Sequence, residues 1–356
     1  MKLKLTYFLF LLIVLNSCSR GNEENDVEDT EETTSSFTKW LIPKDEIFDG
    51  SGKDGIPSID NPKFILGNDD RVNEYMNDAD LVVGIKLGNE VRAYPHKILD
   101  WHEVINDNIG GRNVTVNYCP LTGTAFAWEF ISDNKAATFG VSGLLYNSNL
   151  ILYDRQTDSH WSQMELKCVN GKEIESKPNL IEVVETNWKT WKNSYPNTTI
   201  LLDKQGFDRN YQVYPYGGYL DRDDFLLFPV KPLDDRLPEK QRVHGVISGK
   251  QLKAYRFKFF ENGNVIRDFF AGNNLLLIGN ENIIKSYVIP GDLLDLDFSY
   301  TYDDGESFFE DNTGNKWSIF GEVIEGPALG RKMLAAKSVT GYWFSLASFY
   351  PNPTIY

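Results

Sequence analysis

The strongest constraint on the fold is that the chain of 356 residues repeats itself. V-V-G-I-K-L-G-N-E-V-R-A-Y at 82–94 matches V-H-G-V-I-S-G-K-Q-L-K-A-Y at 243–255, at an offset of 161 residues. Later matches keep the same order: T-x-x-x-W-S recurs at 157 and 313, and Y-P-N-x-T-I recurs at 195 and 350. The sequence therefore predicts an internal duplication, with a first repeat at 80–202, a connecting segment at 203–240 and a second repeat at 241–356.

The repeated unit has the pattern of a β structure. Alternating apolar residues at 81–86 and 90–94, joined by a glycine-containing turn, predict a hairpin, and helical spacing predicts a short helix at 95–106. Further strands are predicted by alternation and by Gly and Asn punctuation, at 113–118, 124–130, 136–141, 149–153 and 161–168. No run of strands alternates with long helices. We expect a mainly β fold with few short helices, made from two copies of a mostly antiparallel unit.

The N-terminus predicts export and anchoring. Lys2 and Lys4 precede an apolar run at 5–15 that is too short for a usual membrane span, which is a signal-peptide layout over 1–17. L-N-S-C resembles a bacterial lipobox, which implies that Cys18 carries lipid such as palmitate and anchors the protein in the cell envelope, at the outer membrane. The alternative is an ordinary signal peptide with an incidental cysteine.

The segment 18–36 is expected to be a disordered tether. It holds seven acidic residues and one basic residue, and it is followed by a lead-in at 37–79. An acidic stretch after the lipidated cysteine resembles a surface-export signal, although a plain spacer fits equally, so the face of the membrane stays open. The whole chain carries a net charge of -15 without a basic cluster, which argues against a nucleic-acid partner.

Cys119 is the leading candidate for a catalytic residue. It leaves a predicted strand in N-Y-C-P-L-T-G-T, where a proline ends the strand, and its thiolate would be a nucleophile. Thr122 takes the place of the second cysteine of a C-x-x-C pair and could bond the thiolate, while His102 could act as base. The alternative is a buried, inert cysteine. At the repeat offset Cys119 aligns with Asn280, so any such site is specific to the first repeat.

Four further residues are candidates for substrate binding. Arg155 offers a planar fork to a carboxylate or phosphate, and Asp154, Gln163 and Tyr118 lie in the same polar stretches or beside Cys119. The four histidines lack a paired spacing for zinc, so no metal ligands are predicted and the cofactor is unknown. The expected partner besides the membrane is an unidentified small molecule.

Several long strings resemble one bacterial family, the domain-of-unknown-function family numbered 3179, over about 80–356. They are A-Y-P (93–95), H-E-V-I-N-D (102–107), Y-C-P-L-T-G-T-A (118–125), F-G-V-S-G-L-L-Y-N-S-N-L (139–150), Y-D-R-Q-T-D-S-H-W-S-Q (153–163) and G-Y-W-F-S-L-A-S-F-Y-P (341–351). The resemblance implies no established activity. Members often show C-P-L-C, and some resemble selenoproteins, which implies thiol or selenol redox chemistry. Thr122 stands where those members have the second cysteine, which argues against a dithiol mechanism but leaves a single-thiol mechanism open.

Three functions follow as hypotheses. In the first, the Cys119 thiolate attacks a peroxide, a disulfide or an electrophilic carbon, with His102 as base. In the second, the protein is a non-catalytic module that binds a small ligand or glycan, and Cys119 only packs. In the third, Cys119 and His102 hold a metal or haem. Whether the protein is an enzyme is left open by the sequence.

Overall fold

The computed structural model describes residues 38–132 and 135–356. The predicted signal peptide at 1–17, the lipidated Cys18 and the tether at 18–36 lie outside the described residues. Within them, short strands far outnumber the three short α-helices, which confirms the prediction of a mainly β fold.

The helices are α1 (His96–His102), α2 (Trp188–Ser194) and α3 (Trp343–Phe349), with 3-10 turns at Lys44–Glu46, Asp70–Glu74, Gly217–Tyr219, Phe257–Phe259 and Gly291–Leu293. The strands up to residue 201 are β1 (Ile47–Asp49), β2 (Ile59–Asp60), β3 (Phe64–Leu66), β4 (Leu81–Leu87), β5 (Glu90–Pro95), β6 (Val104–Ile109), β7 (Arg112–Cys119), β8 (Thr124–Glu129), β9 (Ile131–Ser132), β10 (Lys135–Ala136), β11 (Phe139–Tyr146), β12 (Asn149–Asp154), β13 (His160–Ser162), β14 (Lys167–Asn170), β15 (Asn179–Ile181), β16 (Val184–Asn187) and β17 (Thr199–Leu201). The later strands are β18 (Arg242–Ser248), β19 (Gln251–Arg256), β20 (Asn264–Phe270), β21 (Asn273–Gly279), β22 (Ile284–Val288), β23 (Phe298–Tyr300), β24 (Phe309–Asp311), β25 (Lys316–Trp317), β26 (Val323–Glu325), β27 (Leu334–Ala335), β28 (Ser338–Tyr342) and β29 (Thr354–Ile355).

These strands form seven sheets, most of whose pairs are antiparallel. Before the connecting segment the orders are β16-β4-β5-β17-β3, β15-β8-β7-β6-β2, β1-β11-β12-β13-β14 and the pair β10-β9. After it they are β28-β18-β19-β29, β20-β21-β22-β27 and β23-β24-β25-β26. The pairs β5–β17, β19–β29 and β2–β6 are parallel.

The two predicted repeats share one arrangement of strands. In both, a central hairpin (β4–β5 or β18–β19) takes an antiparallel strand on one side and a parallel strand on the other. A seven-residue helix, α2 or α3, precedes that parallel strand. An antiparallel meander follows the hairpin, β6-β7-β8 in one case and β20-β21-β22 in the other. A common origin of the two units stays a prediction, but their strand order is the one that a duplication would give.

Buried side-chain contacts also recur at matching positions. The Tyr94 hydroxyl donates to Asp107 at 2.6 Å, and Tyr255 donates to Asp268 at 2.8 Å. In both units a buried tryptophan also donates its indole N–H to the carboxylate that ends the preceding strand; these pairs are Trp161 with Asp154 at 2.9 Å and Trp317 with Asp311 at 2.8 Å. The T-x-x-x-W-S string is thus a turn closed by a core tryptophan.

Three predicted elements differ from the structure. The strand predicted at 136–141 is divided between β10 (Lys135–Ala136) and β11 (Phe139–Tyr146). Helix α1 ends at His102, because Glu103 adopts φ 55° and ψ −34° and turns the chain into β6. The predicted helix at 95–106 is therefore too long by its last residues. The single strand predicted at 161–168 is two short strands, β13 and β14, with Leu166 at φ 53° in the turn between them. The errors at Glu103 and Leu166 arise because each of these residues has a positive φ, and hydrophobic periodicity does not detect a single such residue.

The hydrophobic core is shared between the repeats. One cluster joins Val83 and Trp191 of the first repeat to Tyr287 of the second, and another joins Cys119 to Trp343. The connecting segment contains no strand, yet its Tyr219 is 1% exposed and belongs to the cluster around Cys119. The connecting segment is thus part of the core rather than a free linker.

The paired glycines of the two hairpins give a test of this packing. A Cβ at Gly84 would lie 2.1 Å from the Trp191 ring, whereas at Gly245 it would lie 2.6 Å from a methyl group of Leu346. A leucine can change rotamer but a packed indole cannot bend, so Gly84→Ala should destabilise the fold by about 2–3 kcal/mol and Gly245→Ala by less. Urea unfolding of both variants measures the difference, and equal midpoints would contradict it.

Candidate functional site

Cys119 is the last residue of β7 and begins a tight, buried turn into β8. The Cys119 carbonyl accepts hydrogen bonds from the amides of Thr122 at 3.2 Å and Gly123 at 2.8 Å. Gly123 has φ 62°, a conformation that glycine adopts without strain. A Cβ at this position would also lie 3.2 Å from the Tyr342 ring of the second repeat. The proline and glycine of C-P-L-T-G-T are therefore explained by this turn.

The thiol itself is buried and protonated. Cys119 is 1% exposed, and its Sγ donates to the Ser148 carbonyl at 3.6 Å. Burial, and next the negative charge of Glu103, raise the pKa of Cys119 to about 12 from an ordinary 9.0. Hydrogen bonds from Thr122, through its hydroxyl and its amide, and from the Leu150 amide act in the opposite direction but are outweighed. Thr122 thus acts on the thiol, but the net effect of the surroundings is to raise the pKa of Cys119.

His102 is not the partner of the thiol in this structure. Its Nδ1 lies 2.7 Å from the Pro57 carbonyl oxygen, and its Nε2 lies 2.7 Å from the Tyr211 hydroxyl. Because a carbonyl oxygen only accepts, Nδ1 carries the proton and Nε2 accepts from Tyr211. Burial lowers the pKa of His102, which favours this neutral form. Both ring nitrogens are therefore engaged away from Cys119, and neither is free to take its proton.

Glu103, the next residue, is the acid whose charge acts on the thiol. It is 5% exposed, and its Oε1 accepts a hydrogen bond from the Tyr216 hydroxyl at 2.9 Å. Burial raises the pKa of Glu103 to about 7 from 4.5, against the effect of that hydrogen bond. Its positive φ is rare for a residue other than glycine and costs on the order of 1–3 kcal/mol. A strained, buried acid that titrates near neutral pH is typical of functional sites.

Asp100, which lies on α1, is a second acid whose pKa is raised. Burial, and next the charge of Glu103, raise the pKa of Asp100 to about 8. The charge of Asp100 in turn raises the pKa values of Tyr118 and Tyr214, so these groups are neighbours. Sequence reasoning missed both acids. The signal for them in the sequence was the D-W-H-E string. It stands between apolar helix residues and a V-I strand, so its carboxylates are close to segments that pack in the interior.

Tyrosines of the connecting segment cover the turn. The Tyr214 hydroxyl donates to the Pro120 carbonyl at 3.5 Å, and the Tyr219 hydroxyl donates to the Leu121 carbonyl at 2.8 Å. Together with Tyr216 on Glu103, they place three phenol rings from a segment about 100 residues away over the Cys119 turn. From the sequence alone, this segment is expected only to connect the two repeats.

The four predicted substrate-binding residues lie in four separate environments. Tyr118 is buried with its ring 4.4 Å from that of His96. Asp154 is fully buried and closes the T-x-x-x-W-S turn by accepting from Thr157 and Trp161. The Asp154 carboxyl group is thus occupied by hydrogen bonds inside the fold.

Arg155 and Gln163 are also not brought to the thiol. The Arg155 guanidinium donates to both Asp60 oxygens, at 2.9 and 3.0 Å, on an open polar groove of about 630 Å³. Gln163 is fully buried and accepts from Thr124 and Asn149, each at 2.7 Å. That network holds the turn from below, since Asn149 also donates to Thr122 at 3.0 Å.

A cavity of about 240 Å³ opens beside Glu103. Glu103 and Tyr216 are polar groups in a wall that is otherwise mostly apolar, and the mouth is formed by the exposed Gly50 and Ser51 with Leu227, which is 38% exposed. The remaining lining residues are Ile56, Leu121, Val141, Gly143, Leu144, Leu145, Leu150 and Phe228. An apolar concave site with one or two convergent polar groups is the usual form of a small-molecule site.

Metal, disulfide and membrane features complete the description. In the described ranges, no three His, Cys, Asp or Glu side chains are grouped as metal ligands. Cys119 and Cys168 are both free thiols, and Cys168 donates to the Asn170 carbonyl at 3.2 Å. None of the described helices has the length and hydropathy of a membrane span.

A family model described as "Protein of unknown function (DUF3179)" matches residues 53–353. The match covers most of the chain, so the protein belongs to this family, as the resemblance implied. No curated protein and no solved structure matches the chain.

The reactivity of Cys119 tests the description of the thiol. In a chain that lacks residues 1–36 and carries Cys168→Ser, iodoacetamide at pH 8 should react at least about a hundredfold more slowly with the folded protein than with the protein in guanidinium. The reason is the pKa of about 12 in the folded state. A fast reaction with a midpoint below about pH 7.5 would instead demonstrate an activated thiolate.

The raised pKa of Glu103 predicts a pH-dependent stability. The folded protein keeps a proton on Glu103 that the unfolded chain loses above about pH 4.5, so stability falls between about pH 4.5 and 7. Glu103→Gln should remove this loss and be more stable than the parent by up to about 3 kcal/mol at pH 8, with little difference at pH 4. Urea unfolding at both pH values measures it, and a variant that is less stable at pH 8 would refute the assignment.

Proposed function

We propose that the protein binds a small, largely apolar molecule in the cavity beside Glu103. The observation that carries this proposal is a cavity of about 240 Å³ whose mostly apolar wall holds one carboxyl group with a raised pKa. Its volume is below that of sites for drug-sized ligands, so the ligand is small. Apolar side chains supply affinity by burial, and Glu103 with Tyr216 orients the polar end of the ligand.

The proposal places this binding site on a lipid-anchored protein of the cell envelope, at the outer membrane. Its support is the L-N-S-C string, in which Cys18 would be the lipidated residue, followed by the acidic stretch. A tethered binding protein would sample ligands close to the membrane surface.

Thiol chemistry at Cys119 is the second candidate. The observation in its favour is that hydrogen bonds from Thr122 and from the Leu150 amide lower the pKa of the Cys119 thiol, although burial outweighs them. Such donors stabilise a thiolate once it forms. Binding ranks first because the thiol is 1% exposed and does not line the cavity. The glycan alternative has no cavity contact in its favour. In the described residues no group of His, Cys, Asp and Glu side chains favours the metal or haem alternative.

A panel of six-carbon molecules tests the binding function. Calorimetric titration with 1-hexanol, hexanoate and hexylamine should detect binding of at least one of them. Leu227→Trp, at the mouth, should weaken that binding at least about tenfold, because a larger side chain there closes the entrance. Leu220→Trp is the matched control, since Leu220 is 47% exposed in the same segment and does not line the cavity. If no member binds, or both variants act alike, the proposed function is wrong.

A further inference from the structure

The charge inside the cavity has no basic partner. The residues that line the cavity include Glu103 but no Lys, Arg or His. The hydrogen bond from Tyr216 occupies Oε1 of Glu103. The nearby ionisable Asp100 is also an acid, and each carboxylate opposes the charge of the other. A buried carboxylate is stable when a cation pairs with it, and the described residues do not supply one at this wall.

We propose that the ligand of this cavity is a small organic cation, an alkylammonium or arylalkylammonium ion that pairs with Glu103. This inference rests on the proposed binding function and names its ligand class. The ammonium group donates hydrogen bonds to Glu103, and the apolar body of the ligand contacts Leu121, Leu145 and Phe228.

Two further features of the wall fit a cation. The aromatic rings of Tyr216 and Phe228 line the cavity, and aromatic faces attract ammonium groups. Glu103 also has φ 55° at the end of α1, and its carboxyl group is held at the cavity by the hydrogen bond from Tyr216. Backbone strain at a buried acid is the kind of outlier that marks a ligand contact.

Other ligand charges fit this wall less well. An anionic ligand would meet the Glu103 carboxylate without a compensating cation among the described residues of the lining. A neutral ligand could accept a hydrogen bond from protonated Glu103, so it binds best at low pH. A cation requires the carboxylate, so its affinity rises with pH. The titratable groups that face Glu103 are Asp100 on α1, Tyr216 of the connecting segment and Cys119 at the end of β7.

The test compares hexylamine with 1-hexanol by calorimetry at pH 6 and pH 8. Hexylamine should bind at least about tenfold more tightly than 1-hexanol at pH 8. Its affinity should also rise about tenfold from pH 6 to 8, because the carboxylate fraction of Glu103 rises by that factor around a pKa of about 7. For 1-hexanol the affinity should fall over the same interval.

Two variants separate pairing from general electrostatics. Glu103→Gln should lose at least about tenfold in hexylamine affinity while 1-hexanol binding is retained, which shows that the cavity is intact. Asp224→Asn removes one exposed carboxylate of the connecting segment and should leave hexylamine binding unchanged. Binding of 1-hexanol that equals or exceeds that of hexylamine at pH 8 would overturn the cation proposal and leave the binding function standing. Absence of binding by hexanol, hexanoate and hexylamine would end both.

Discussion

The structure around the candidate site depends on burying the tight turn that begins at Cys119. Residues of the first predicted repeat, the connecting segment and the second predicted repeat all pack around it. The carbonyl of Cys119 organises the turn by accepting two amide hydrogen bonds, and Gly123 lets the Tyr342 ring of the second repeat lie against it. Below the turn, Gln163 and Asn149 satisfy its buried polar groups, as such groups require in a core. Tyr219 closes it from above. A thiol at this place is withdrawn from water by all three parts at once.

The same burial determines the electrostatics. Removing water raises the pKa of Cys119, Glu103 and Asp100 together, because each becomes charged by losing a proton. The effect moves the pKa of the thiol far from neutral pH but brings that of Glu103 to about 7. Since Glu103 lines the cavity and Cys119 does not, the chemistry available to a ligand is that of the carboxyl group. This is why binding, rather than thiol attack, is the better account of the site.

Sequence reasoning succeeded where the cause was local. The β4–β5 and β18–β19 hairpins follow from alternation and glycine turns, and the role of the proline and glycine after Cys119 follows from turn chemistry. It did not identify the acid near the thiol. His102 and Glu103 are adjacent in the chain, but α1 ends between them because Glu103 has a positive φ, and it is the charge of Glu103 that raises the pKa of Cys119. Neither hydrophobic periodicity nor residue spacing predicts that φ angle.

The sequence by itself determined the mainly β class, the family and the position of the buried turn, because alternation, glycine placement and long motif strings depend on neighbouring residues. Only the tertiary structure decided what surrounds Cys119. Tyr216 and Tyr219 come from a segment about 100 residues away, and Tyr342 comes from the second repeat. Burial and charge at a point depend on every chain segment that packs there, so the pKa of a thiol or carboxyl group is a property of the assembled fold.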